Sequence, residues 1–187
     1  MTKALDFRRR REAKTDYNKR LSIIKGNLDK IVIRKTNRRI IGEVVRYSEG
    51  GDQVIAYVDS GLLASKYNWP SRSNRATAYL TGLMLAKTVK EKKLDKNTEY
   101  VLDIGLSSPV KNSIPFVFAK GCIDGGLKLR SGIEIKEEIY NYSNTDYAKK
   151  VMQEGKSKEF GKFAKDGVNV EELGKRFEEM KKKITSE

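Results

Sequence analysis

Between Lys30 and Asp59 three strand-like stretches follow one another with only short polar connectors, and no other feature of the chain restricts its fold as strongly. Lys30-Ile31-Val32-Ile33-Arg34 is β-branched at its centre. Arg39-Ile40-Ile41-Gly42-Glu43-Val44-Val45-Arg46-Tyr47 follows after the turn-rich Lys35-Thr36-Asn37-Arg38, and Gln53-Val54-Ile55-Ala56-Tyr57-Val58-Asp59 follows the Gly50-Gly51-Asp52 turn. Connectors this short join antiparallel neighbours, so the region predicts a meander of two hairpins. After Ser60 the apolar period changes from two to about 3.6. A short helix is expected over 61–67 and a loop over 69–74. A longer helix is expected from about Asn74, as N-cap, to Lys93, with Ala76, Tyr79, Leu80, Leu83, Met84 and the stem of Lys87 on one face. Tyr100-Val101-Leu102-Asp103-Ile104 reads as a buried strand, and the loop Ser107 to Ser113 feeds a helix from about Pro115 to Gly125.

The order β-β-β-α-β-α predicts an α/β fold, a ribonuclease-H-like mixed sheet with helices packed on it. Residues 1–28 read as a basic N-terminal arm with a short helix, in which Tyr17, Leu21 and Ile24 share a face. Residues 29–133 form the core domain. Residues 134–187 read as a helical C-terminal extension, broken at Gly155, Gly161 and Gly167 and ending in a helix near 170–184. No internal repeat is visible.

Charge divides the chain the same way. The net charge is +14, and residues 1–46 hold 15 Lys+Arg against 5 Asp+Glu. Residues 47–133 hold 12 against 8, and residues 134–187 hold 12 against 12. An excess of this size costs self-repulsion in the compact state and points to a polyanionic partner for the first quarter. With no histidine and the single Cys122, an intramolecular disulfide and Ser-His or Cys-His catalysis are excluded, and a metal site of the usual Cys/His kind has almost no ligands to draw on. No apolar leader and no run of about 18 apolar residues is present, so neither a signal peptide nor a membrane span is expected and the cytosol is the expected compartment.

Two basic clusters carry the chemistry. Arg8-Arg9-Arg10-Arg11 repel one another in isolation and predict an arm that orders against its partner; Lys14, Thr15, Tyr17 and Arg20 continue it. Arg34-Lys35-Thr36-Asn37-Arg38-Arg39 sits at a hairpin tip, where guanidinium forks suit phosphate and the Thr and Asn side chains suit phosphate or a ribose 2′-OH. Phe7, Tyr17 and Trp69 lie in or beside basic stretches and offer rings for stacking on bases; packing within the fold accounts for each equally well. Asp59, Asp103 and Asp124 would hold Mg²⁺ for phosphodiester cleavage only if the fold gathered them. The glycines around Cys122 match no phosphate-binding loop and suit helix termination and close packing, with Cys122 as a small buried apolar residue.

Four blocks together resemble a known family. Arg8 to Tyr17, Val32 to Ile40, Ala78-Tyr79-Leu80-Thr81-Gly82-Leu83 and Val101-Leu102-Asp103-Ile104-Gly105-Leu106 are similar to the large-subunit ribosomal proteins called L-eighteen in archaea and L-five in eukaryotes. The resemblance spans about Arg8 to Glu138. It implies a ribonuclease-H-like core that does not cleave RNA, binds 5S rRNA and helps dock it into the central protuberance of the large subunit. The implied partners are 5S rRNA, large-subunit rRNA and neighbouring ribosomal proteins; no cofactor, membrane or small-molecule substrate is implied. Carried over segment by segment, RNA contacts are expected from Arg8 to Arg11, Lys14, Thr15, Tyr17 and Arg20, and from Arg34 to Arg39. They are also expected from the loop holding Trp69, Arg72, Ser73 and Asn74, and from Lys111 and Ser113. The family's loop after the fourth strand has a glycine before its serine, whereas Asn112 precedes Ser113 here.

Overall fold

The computed structural model describes residues 5–71, 73–94, 99–130, 132–141 and 170–186. A four-residue turn of helix, α1 (Arg8–Arg11), and α2 (Tyr17–Lys25) precede the sheet. Then come β1 (Asp29–Lys35), β2 (Ile40–Arg46), β3 (Gln53–Asp59), α3 (Ser60–Tyr67), α4 (Arg75–Glu91), β4 (Glu99–Asp103), α5 (Ile114–Asp124) and the two-residue β5 (Lys128–Leu129). A 3₁₀ turn (Glu137–Ile139) and a final helix, α6 (Val170–Ser186), follow. The expected meander and the change of period at Ser60 are both present.

The strands lie in the order β3-β2-β1-β4-β5. β1 pairs antiparallel with β2 and β2 with β3, while β1 pairs parallel with β4 and β4 with β5. β2 alone therefore opposes the other four. The pattern follows from connection length: short turns can only reverse the chain, and the parallel pairs need the helical crossovers α3–α4 and α5.

Strand alternation sorts side chains to two unlike faces. Ile31, Ile33, Ile40, Val44, Ala56 and Val58 enter the main core, where α4 packs on β2 and β3 and α5 on β1. Lys30, Val32, Arg34, Glu43 and Val45 alternate with them and face the other way, with no long helix among the described residues packed over them.

Asn74 caps α4, its Oδ1 accepting from the Thr77 amide at 2.8 Å. The single apolar face expected for this helix is too narrow: Thr77, Ala78, Thr81, Leu85, Ala86 and Val89 are buried too, while Met84 and Lys87 are half-buried. Sheet, α5 and α6 surround it, and a helix covered on several sides needs no polar stripe. Its crossing with α5 is made by glycines. A Cβ on Gly82 would stand 2.2 Å from the Phe118 carbonyl oxygen, and one on Gly121 2.2 Å from that of Tyr79, so only hydrogen lets the two backbones approach.

α6 lies against α4 and places Leu173, Phe177, Met180 and Ile184 in buried positions, each worth about 1.5–3 kcal/mol of transfer free energy. Tyr140 stacks on Tyr79 with ring centroids 4.3 Å apart, and Phe177 lies 5.6 Å from Tyr79.

Candidate nucleic-acid interface

The polar face of the sheet is roofed at one end by α2 and the arm. Asp16 accepts from the amides of Asn18 and Lys19 at 3.0 and 3.1 Å and so starts α2 at Tyr17. α2 has no buried residue; Tyr17, Ile23 and Ile24 are half-buried, and charged side chains tie the helix to the sheet. Lys19 Nζ donates to the Gly105 carbonyl at 2.9 Å and lies 3.9 Å from Asp103, at the end of β4. Arg20 reaches Asp52, in the β2–β3 turn, at 3.0 Å. Asp52 also accepts from Lys30 at 2.7 Å. Burial alone would push the Asp52 carboxyl up, but the hydrogen bond and charge of Lys30, with those of Arg20, outweigh it and hold the group below its ordinary value.

Between roof and sheet runs a groove of about 380 Å³. Arg9, Lys14, Lys19, Arg20, Lys30 and Arg34 line it, with Asp16, Glu43, Asp52 and Asp103 as the acids. It brings together five residues marked from the sequence: Arg9, Lys14, Thr15, Arg20 and Arg34. Arg9 Nε donates to the Thr15 hydroxyl at 2.8 Å, folding the arm back. Arg8 and Lys14 pair with Glu12, and Arg10 with Asp6, all exposed. Such pairs are worth about 0–1 kcal/mol each, so a phosphate can replace them at small cost. The four arginines thus form a helical turn with local counter-charges, whereas the sequence alone suggested order only against a partner. Arg10, Tyr17 and Leu106 border a second, smaller depression, and Tyr17 lies 5.1 Å from the ring of the exposed Phe7.

The hairpin tip divides its cations into two kinds. Arg34 approaches Glu43 at 3.2 Å and Arg39 pairs with Asp59 at 2.8 Å. Lys35, Asn37 and Arg38 are exposed, and among the described residues their side chains make no hydrogen bond or ion pair. The Thr36 hydroxyl accepts from the Arg39 amide at 2.9 Å and donates to the Arg39 carbonyl at 3.0 Å, so it holds the turn. Ser73 Oγ donates to the Thr36 carbonyl at 3.1 Å and ties the 69–74 loop to the tip.

The remaining marked residues lie elsewhere. Trp69 is 3% exposed, donates to the Thr77 hydroxyl at 2.9 Å and packs edge-on against Phe177. Its ring has no free face for a base, and the packing reading of this residue accounts for it. Asn74 is engaged as the α4 cap, and Arg72 lies outside the described residues. Lys111 is exposed and Ser113 stands at the N-cap position of α5 without a capping bond; neither lines the groove, although Gly105 and Leu106 of the same loop do. Asn112 holds φ +61°, the left-handed conformation that glycine or asparagine supplies.

The three aspartates considered for metal are dispersed. Asp59 pairs with Arg39 and accepts from the Gly61 amide; Asp103 accepts from the Gly105 amide at 2.9 Å. Asp124 accepts from Tyr79 and Lys120 at 2.9 and 2.8 Å, on the helical side of the sheet. Among the described residues no three His, Cys, Asp or Glu side chains gather as metal ligands. No described helix is long and apolar enough to cross a membrane. Burial pushes the Cys122 thiol well up, which leaves it an inert packing residue.

Sequence reasoning did not single out Lys19, Lys30, Glu43 or Asp52 as site residues. Lys30 and Glu43 carried a signal, since strand alternation puts them on the face of Arg34; Asp52 carried none, because its partners come together only in the folded chain. The family model for "Ribosomal large subunit proteins 60S L5, and 50S L18" matches residues 3–101, just over half of the 187 residues, and takes in the arm, the hairpin tip and all of the groove's lining except Asp103, Gly105 and Leu106. The chain belongs to this family of ribosomal large subunit proteins.

Proposed function

We propose that the protein is a non-catalytic constituent of the large ribosomal subunit that grips 5S rRNA and helps attach it at the central protuberance, alongside large-subunit rRNA and neighbouring ribosomal proteins. The observation that carries this reading is the set of cations that arm, groove and hairpin tip present, all within the segment that matches the family. Guanidinium and ammonium groups on two sides of a groove suit a folded RNA, whose phosphates approach from more than one direction. The strand order 3-2-1-4-5 with β2 alone reversed supports a ribonuclease-H-like core. The engagement of Asp59, Asp103 and Asp124 in separate local contacts supports binding without cleavage. Within the family, the sequence blocks quoted above favour the archaeal branch, and the cytoplasm is the compartment this reading implies.

Filter binding of 5S rRNA and of a transfer RNA across a salt series tests it. The expected result is a preference for 5S rRNA and a steep linear fall of log K with log salt, about 0.7–0.9 per phosphate neutralised. Equal affinity for both RNAs, or affinity that stays flat with salt, would overturn the reading.

A further inference from the structure

Glu43 is out of place in a groove that binds phosphates. It sits mid-β2, opposite Val32 of β1 and Tyr57 of β3, and rises from the polar face of the sheet. The residue is 9% exposed, and its Oε2 is buried with no hydrogen-bond donor among the described residues. Arg34 lies above it with Nη2 at 3.2 Å, close enough for an ion pair but not aligned as a hydrogen bond, and the Arg34 side chain is itself 63% exposed. The other acids of the groove are satisfied: Asp16 caps α2, Asp52 bridges Lys30 and Arg20, and Asp103 accepts from the Gly105 amide. A buried carboxylate oxygen without a donor is costly, and a carboxylate on the floor repels the phosphates that the walls attract. Its placement suits a ligand edge made of donors.

Among the RNA bases only guanine presents two adjacent donors, N1–H and N2–H₂, on its Watson–Crick edge, and they match the two parallel acceptors of a carboxylate. Uracil flanks its single N–H with carbonyl oxygens, and adenine and cytosine set a ring-nitrogen acceptor beside the amino group. Unpaired RNA bases are read on these edges. The groove volume falls within the range of about 300–1,000 Å³ typical of small-ligand pockets, and Val32, Val45, Val54 and Leu106 offer apolar contact to a base plane. We infer that Glu43 is a specificity-determining residue that reads an unpaired guanine in the groove, with the exposed Arg34 turning outward to a phosphate. The inference rests on the RNA-binding reading above.

The test uses the full chain and three labelled single-stranded 12-mers of uridine: one with a central guanosine, one with a central inosine, and one with uridine alone. Inosine keeps N1–H and lacks the N2 amino group. Wild-type protein is expected to bind the guanosine 12-mer about tenfold more tightly than the uridine one, as a bidentate base contact gives, with inosine between them. In Glu43→Gln, which is close in shape, the three affinities converge to within about twofold. Equal wild-type affinity for all three, or a guanosine preference that survives in Glu43→Gln, overturns the inference while leaving RNA binding intact. The inosine comparison needs no variant and stands even if Glu43→Gln folds poorly. Failure to bind these probes or any other RNA overturns the RNA-binding reading and the guanine site together.

Discussion

Removing Lys35 and Arg38 together should separate the two kinds of cation at the hairpin tip. Neither side chain is used within the described fold, so the change subtracts two charges without breaking an internal bond. If each neutralises one phosphate, the log–log salt slope falls by about 1.4–1.8, and affinity near 0.1 M salt drops roughly 25- to 60-fold. The midpoint of thermal unfolding should stay within about 2 °C, because an exposed change of this kind moves stability by under about 0.5 kcal/mol. Arg34→Ala/Arg39→Ala should behave differently. Each arginine already shares its charge with an acid, so RNA gains only the difference between a phosphate and that acid. The slope should fall by less than in the first variant. Stability should fall as well, because Arg39→Ala leaves the mostly buried Asp59 with the Gly61 amide and a long Tyr57 contact of 3.4 Å. A loss of roughly 1 kcal/mol in a half-exposed pair corresponds to about 2–4 °C for a chain of this size. Fluorescence anisotropy on 5S rRNA at four salt concentrations, with thermal unfolding on the same samples, reads both quantities. Equal slope changes in the two variants with no difference in melting would refute the division of the tip into free and engaged cations.

Three further outcomes follow from the packing and the charges. Gly82→Ala, which in an exposed helix gains up to about 1 kcal/mol, should instead destabilise by about 1–3 kcal/mol, since the added carbon meets the Phe118 carbonyl, whereas Gly50→Ala, with open space around it, should have little effect; a raised melting temperature for Gly82→Ala would contradict the observed helix crossing. Asp52 has its carboxyl pKa lowered by Lys30 and Arg20, so its contribution is present above the unfolded value near 3.8 and is lost as pH falls through the lower folded value. Thermal unfolding from pH 7 to pH 2 should therefore show a shallower acid limb for Asp52→Asn than for wild type, and identical acid limbs would count against the bridge. Trp69 is the chain's only tryptophan and is buried, so its emission should be blue-shifted and should change little on adding 5S rRNA; strong quenching by RNA would show that the ring stacks on a base after all.

The strands and most helices were legible because their signals are local. Alternating β-branched residues, short connectors and the Asn74 cap depend on neighbours in sequence, and β1 to β4 and α3 to α5 fall within a residue or two of expectation. β5 was missed: two residues, Lys128 and Leu129, are too few to carry a period, and they become a strand only because β4 offers an open edge. The full burial of α4 was missed for a related reason. A helix covered by partners distant in sequence shows no polar stripe, and its apolar period reports only part of what covers it. At the site, the arm and the tip announced themselves through composition, while the joining of Asp52 to Lys30 and Arg20 had no sequence signal.

By itself, the sequence determined where the charge lies and the order of elements. A net +10 in the first 46 residues and a period that switches at Ser60 are properties of the covalent chain, and no packing alters them. The tertiary structure decided which of the marked residues are available to a partner. It placed Trp69 in the core, committed Thr36 and Asn74 to turn and cap, paired Arg34 and Arg39 with acids, left Lys35 and Arg38 without described partners, and put Glu43 on the groove floor, ion-paired to Arg34 but with its Oε2 lacking a hydrogen bond. The physical reason is that charge and hydrophobic period belong to residues and their near neighbours. Exposure and ion pairing depend on which distant segment the fold brings alongside.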